Sequence, residues 1–108
     1  MKFSVLVTAD AQRDLDDIHA YIASQDGLDR ADAILDRLGA TLSKLTKRPN
    51  RGEYPPELVA LGIRQFRQVH FKPYCAIYQV TGSEIHVLVV ADGRRDMQAL
   101  LQRRVLAR

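Results

Sequence analysis

The spacing of apolar positions divides the chain into segments before any chemistry is considered. Phe3, Val5 and Val7 alternate with Ser4, Leu6 and Thr8, which predicts a short strand whose second face is partly apolar at Leu6. From Ala9 the spacing becomes helical, with Leu15, Ile18 and Ile22 on one side, Thr8 or Asp10 available as the N-cap, and Asp26-Gly27 as the break. A second helix is predicted from about Leu28 to Lys47, because Ala31, Ile34, Leu35, Leu38, Leu42 and Leu45 fall on one stripe. Lys44 and Lys47 complement its C-terminal dipole, and Pro49 stops it.

Arg48 to Leu61, with Pro49, Asn50, Gly52, Pro55 and Pro56, reads as an irregular surface connection. Alternation then resumes. Ile63–Phe71, Tyr74–Val80 and Glu84–Asp92 are predicted as strands, parted by Lys72-Pro73 and Thr81-Gly82-Ser83. Connections this short allow only an antiparallel meander. Asp96 can cap a last helix whose apolar side is Met97, Leu100, Leu101 and Val105 and whose polar side includes Arg95, Arg103, Arg104 and Arg108. The expected fold is α+β: a small, mostly antiparallel four-stranded sheet packed by an N-terminal helical hairpin, in the order βααβββα.

With 108 residues and 46% apolar content, the whole chain, 1–108, is expected to form a single domain with one core. The first ten residues lack the basic head and apolar stretch of a signal peptide, and the longest apolar run, Val87–Ala91, is too short to span a bilayer. A cytoplasmic protein is expected, without membrane association. The lone Cys75 cannot form an internal disulfide and reads most simply as a small buried residue.

Charge is unevenly distributed. Residues 1–63 hold 8 Lys/Arg and 10 Asp/Glu, whereas residues 64–108 hold 8 and 3, so the surplus lies in the C-terminal part. Seven of those eight cations are arginine, whose planar fork suits phosphate and carboxylate. Three histidines (His19, His70, His86) and one cysteine show no zinc-ligand spacing, so neither metal nor cofactor is expected. Gly-rich phosphate loops and nucleophile elbows are also missing from the sequence. What remains is a group of basic and aromatic residues on the C-terminal strands: Arg64, Arg67, His70, Lys72, Tyr74, Tyr78, His86, Arg94 and Arg95. Alternation puts Arg64, Phe66, Gln68 and His70 on one face and Gln65, Arg67, Val69 and Phe71 on the other. The group suits either RNA cleavage, with cations on the phosphate and His moving a proton, or a sheet with one wet face. Tyr78 reads as hydrogen-bonded scaffold.

Leu61-Gly62-Ile63-Arg64 with Arg67, Lys72-Pro73-Tyr74-Cys75-Ala76-Ile77-Tyr78, Val87–Val90, and Asp92-Gly93-Arg94-Arg95-Asp96 before a Leu-rich helix ending in Arg103-Arg104 together resemble the RelE/ParE toxin superfamily. Ala9, Asp14, Leu15–Ile18 and Tyr21 are similar to the family's opening helix. The resemblance implies a growth-inhibiting toxin of a type II toxin–antitoxin module, neutralised in a hetero-oligomer by a cognate antitoxin. RelE-like members cut messenger RNA on the ribosome; ParE-like members bind DNA gyrase. Where the cutting branch has an arginine after the tyrosine of the third strand, this chain has Cys75, and Gln79 also replaces a common arginine. Arg95 matches a second basic position and Arg67 a third, while no Tyr or His follows His86.

The ParE-like reading therefore leads, with Arg64, Arg67, Arg94, Arg95, Arg103 and Arg104 as target-binding residues. In the ribonuclease alternative, Arg67, Lys72 and Arg95 would be catalytic. A weakly toxic, degenerate member is the third reading. Arg64, Arg67, Arg94 and Arg95 are expected to form one cationic surface.

Overall fold

The computed structural model describes residues 2–106. Strand β1 (Ser4–Val7) leads into an antiparallel helical hairpin, α1 (Ala9–Asp26) and α2 (Leu28–Ser43). A short helix, α3 (Pro56–Val59), precedes strands β2 (Arg67–Phe71), β3 (Tyr74–Thr81) and β4 (Glu84–Asp92). Helix α4 (Met97–Leu101) ends in a π-helical turn, Gln102–Leu106. The sheet has the order β1-β4-β3-β2. The β2–β3–β4 meander is antiparallel, as expected, and β1 joins β4 in parallel, making the sheet mixed.

The sheet separates two apolar clusters. On one face Ala11, Leu15 and Ile18 of α1 and Leu42 at the end of α2 cover Ala76, Tyr78, Ile85 and Val87. On the other, Leu58 and the C-terminal residues Met97, Leu100, Leu101 and Val105 cover Cys75, Ile77, Val89 and Ala91. A bulge in β4 makes this division possible. Tyr78 faces Val87 and Ile77 faces Val89, leaving Leu88 as the extra residue. Strict alternation from Ile85 and Val87 would send Val89 and Ala91 to the hairpin side; one inserted residue turns them toward α4.

Local chemistry sets most of the boundaries. Of the two N-cap candidates, Thr8 does the capping: its hydroxyl accepts from Ala11 N and donates to Val87 O, so one side chain starts α1 and ties it to the sheet. Gly27, at φ 94°, reverses the chain between the helices. The α2 stripe outlasts the α-helix, which ends at Ser43; a 3₁₀ turn, Lys44–Thr46, carries Leu45 into the core.

Three boundaries differ from the expectation. The connection before β2 contains α3, with Pro56 at its first position where a missing N–H costs nothing. Gly62, at φ 77°, and the Ile63 N–H to Leu58 O bond (2.9 Å) curl the chain there, so β2 starts at Arg67 and not at Ile63. The C-terminal helix is short, and of its expected polar positions Arg108 lies outside the described residues. Among the described residues, no helix is long and apolar enough to cross a membrane.

Candidate functional site

Buried Tyr78 organises one end of the sheet. Its hydroxyl donates to Pro49 O (2.8 Å) and accepts from Gly52 N (3.0 Å), pinning the loop that leaves α2. Burial pushes the phenol pKa upward. Gly52 is required there by space: a Cβ would lie 2.6 Å from Tyr78 Oη and 2.7 Å from Gln68 O. Arg67 fastens the same loop, donating from Nη1 to Asn50 O (3.2 Å) and Gly52 O (2.8 Å) and from Nη2 to Tyr54 Oη (3.0 Å). Its guanidinium also lies 4.4 Å from the centre of the Tyr54 ring, and that of Arg64 lies 5.7 Å away. Arg64 and Arg67 meet at this ring although alternation assigned them opposite faces, because Arg64 precedes the strand.

A second site lies at the other end of β3 and β4. A cleft of about 430 Å³ is lined by residues of α1, including Asp14, Asp17 and Tyr21, and by Tyr74, Asp92, Arg94 and Arg95. Asp92 accepts from Arg94 through Nε (3.0 Å), Nη2 (2.6 Å) and the backbone N–H (2.9 Å). These bonds hold its carboxyl down at about 2. Burial first, and then the Asp92 charge, raise the Tyr74 phenol. The backbone N–H of Arg95 donates to Asp92 O (3.1 Å), and its side chain is exposed beside the cleft.

These two sites do not merge. Arg67 pairs with Tyr78 and Asp92 with Tyr74, four residues apart along β3, or roughly 13 Å of strand. The expected single cationic surface of Arg64, Arg67, Arg94 and Arg95 is therefore two separate groups. All four lie in one segment of the sequence, and the course of the antiparallel strands sends them to opposite ends of the sheet.

Arg104 has an internal role. Its guanidinium grips both carboxylate oxygens of Asp14 (3.0 Å each) and donates to Leu88 O (3.0 Å), while Asp14 accepts from Val90 N (3.0 Å). Because β1 stops opposite Val87, the next stretch of β4 has an open edge. Asp14 and Arg104 supply the acceptor and donor that a longer β1 would have given to the bulge. Arg103, the adjacent arginine, is exposed.

Of the three residues expected to be catalytic in the ribonuclease alternative, Lys72 and Arg95 come to the same end, where Gly93 N donates to Pro73 O (2.7 Å). Arg67 lies at the other, engaged by the loop. The histidines each meet a carboxylate: His19 with Asp32 (2.7 Å), His70 with Glu53 (2.9 Å) and His86 with Glu84 (3.2 Å). Hydrogen bonds from His70 and then Gln68 lower the Glu53 pKa. Cys75 is 3% exposed beneath α4, and burial raises its thiol to about 11. Sequence reasoning passed over Tyr54, Gly52 and the Asp14 contact. Their roles depend on partners 13 to 90 residues away, for which local spacing holds no signal.

Comparison with known proteins agrees with this arrangement. The chain is 28% identical over 97 residues to Toxin ParE3 of Caulobacter vibrioides, covering 90% of this chain and 93% of that one. Its fold is shared with a chain of the chromosomal ParDE system of P. aeruginosa (TM-score 0.71, 22% identity, 84% of this chain and 96% of that one). It is also shared with a chain of the toxin–antitoxin complex RelBE2 of Mycobacterium tuberculosis (TM-score 0.63, 17% identity, 85% and 99%). The family described as ParE toxin of the type II toxin–antitoxin system parDE matches residues 5–97. The chain belongs to that family and is a type II toxin–antitoxin system toxin of the ParE/RelE kind.

Proposed function

We propose that this toxin arrests growth by binding DNA gyrase in the cytoplasm, without cutting RNA, and that a cognate antitoxin neutralises it in a hetero-oligomer. The observation that carries the reading is the burial of Cys75. The position at which the resemblance places a phosphate-binding arginine in RNA-cutting members is here a thiol packed against Ile77, Met97 and Leu101. A charge could not be held there without a counter-ion. Arg67, a second member of the ribonuclease set, spends its donors on the loop carbonyls and Tyr54.

Among the six arginines expected to bind the target, roles divide by what already engages them. Arg64, Arg95 and Arg103 contact gyrase in this reading. Arg67 and Arg104 are positioning residues that fix the loop and the β4 edge, and Arg94 is oriented by Asp92. The antitoxin reading is supported by the ParDE and RelBE2 systems to which the fold is similar.

Induced expression followed by RNA sequencing, with a gyrase supercoiling assay on the purified chain, tests the reading. Inhibited supercoiling, an SOS response and intact messages are expected. Codon-positioned cuts in translated messages with unaffected gyrase would replace it with the ribonuclease.

A further inference from the structure

Lys44, Lys47, Arg48 and Arg51 line one open concavity of about 450 Å³ at the end of α2, and no carboxylate lines it. All four are exposed, and among the described residues none forms an ion pair. The helix dipole accounts for Lys44 and Lys47, which follow the last α-helical turn. It does not account for Arg48 and Arg51, which lie beyond the 3₁₀ turn. Four uncompensated cations around one hollow create a positive potential that a polyanion would relieve.

The cluster is also held in place. Arg51 N donates to Arg48 O (3.1 Å), so a tight turn sets the spacing of these two residues. Between and beyond them, Pro49 O and Gly52 N are bonded to buried Tyr78, and Asn50 O and Gly52 O to Arg67. The backbone that carries the two arginines is thereby fixed before any ligand arrives.

We propose that Lys44, Lys47, Arg48 and Arg51 form a binding surface for the phosphate backbone of duplex DNA that does not read base sequence. Single-stranded nucleic acid is normally held by cations together with aromatic platforms for its bases. Here Tyr54, the aromatic residue of this loop, is already engaged by Arg67 and Arg64, and only cations line the hollow. An acidic protein would need apolar side chains as anchors as well as charge, and no apolar residue lines this concavity. A duplex asks only for backbone neutralisation. The surface does not depend on gyrase being the target.

Fluorescence anisotropy of a labelled random-sequence duplex against the purified chain, across salt concentrations, tests the proposal. Four phosphate contacts predict a log–log slope of about −3.6, which weakens binding about 150-fold between about 50 and 200 mM salt. The triple variant Lys47→Ala, Arg48→Ala, Arg51→Ala reduces the slope to about −0.9. A control triple, Lys2→Ala, Arg13→Ala, Arg30→Ala, removes the same charge at exposed positions elsewhere and leaves the slope unchanged. Circular dichroism confirms that both variants fold, as their exposed side chains predict. Equal losses in the two triples, no duplex binding at low salt, or tighter binding of poly-glutamate or a single strand would each overturn the proposal. Because the assay contains no gyrase, it can fail while the gyrase reading stands, and the reverse also holds.

Discussion

The arginines of the C-terminal strands and the cations that end α2 carry the same charge but differ in availability. Arg67 is bonded to two carbonyls and a phenol, Arg94 to Asp92, and Arg104 to Asp14 and Leu88. Lys44, Lys47, Arg48 and Arg51 face water around a shared hollow with no carboxylate. The C-terminal part holds the surplus of positive charge, yet half of its six arginines from Arg64 to Arg104 are already engaged by partners within the chain. Net charge over a segment thus measures how many cations are present. It does not measure how many are free to meet a partner.

The contrast can be broken by removing what engages the structural cations. Asp14→Ala has the largest expected effect: it strands the partly buried Arg104 guanidinium and the Val90 N–H, lowering the unfolding free energy by about 3 kcal/mol in urea titration. Gly52→Ala follows. Its Cβ cannot coexist with Tyr78 Oη and Gln68 O in their present positions, and a loss of about 2 kcal/mol is expected, with faster amide exchange in residues 48–54. Tyr78→Phe removes two loop bonds while keeping the ring, for an expected loss of about 1.5 kcal/mol by thermal unfolding.

A smaller effect belongs to Arg94→Ala. Arg94 is 80% exposed and its pair with Asp92 is local, so solvent screening leaves only a small loss near neutral pH. That contribution has a defined pH window. The Asp92 pKa falls from 3.8 to about 2 on folding, so the stabilisation is complete above the ordinary carboxylate value and is lost as pH drops toward about 2. Chemical denaturation of wild type and Arg94→Ala should therefore converge as pH is lowered through this range.

Much of the fold could be read from sequence, because it depends on local patterns. The α2 stripe, the extents of β3 and β4, the Asp26-Gly27 break and the Asp96 cap each record a nearby preference, and each is present, although both strands are buried almost throughout and do not alternate. The β2 start was hidden because Ile63 and Phe66 both reach the α4-side core from a curled segment, where apolar residues mimic a strand's beginning. The Leu88 bulge was hidden for a related reason: the run Val87–Ala91 is apolar throughout, so neither register stands out. Cys75 was legible as a buried residue. A Cys75→Arg substitution would place a charge in the cluster that holds Met97 and Leu101.

The candidate sites were less legible. One signal was available and diluted: residues 37–52 contain five Lys/Arg and no Asp/Glu, a local excess cancelled by the acidic helices when the first 63 residues are summed. The engagement of Arg67 and Arg104 left no such trace, because it depends on side chains meeting across the sheet and along its edge.

Arg103 and Arg104 offer the most direct test of the division between structural and available cations, being neighbours of identical charge. Equilibrium unfolding of Arg103→Ala and Arg104→Ala, measured side by side, should show a loss under about 0.5 kcal/mol for the first and about 3 kcal/mol for the second. Equal stabilities would mean that the Asp14 contact does not hold the β4 edge, and the division drawn here would be contradicted.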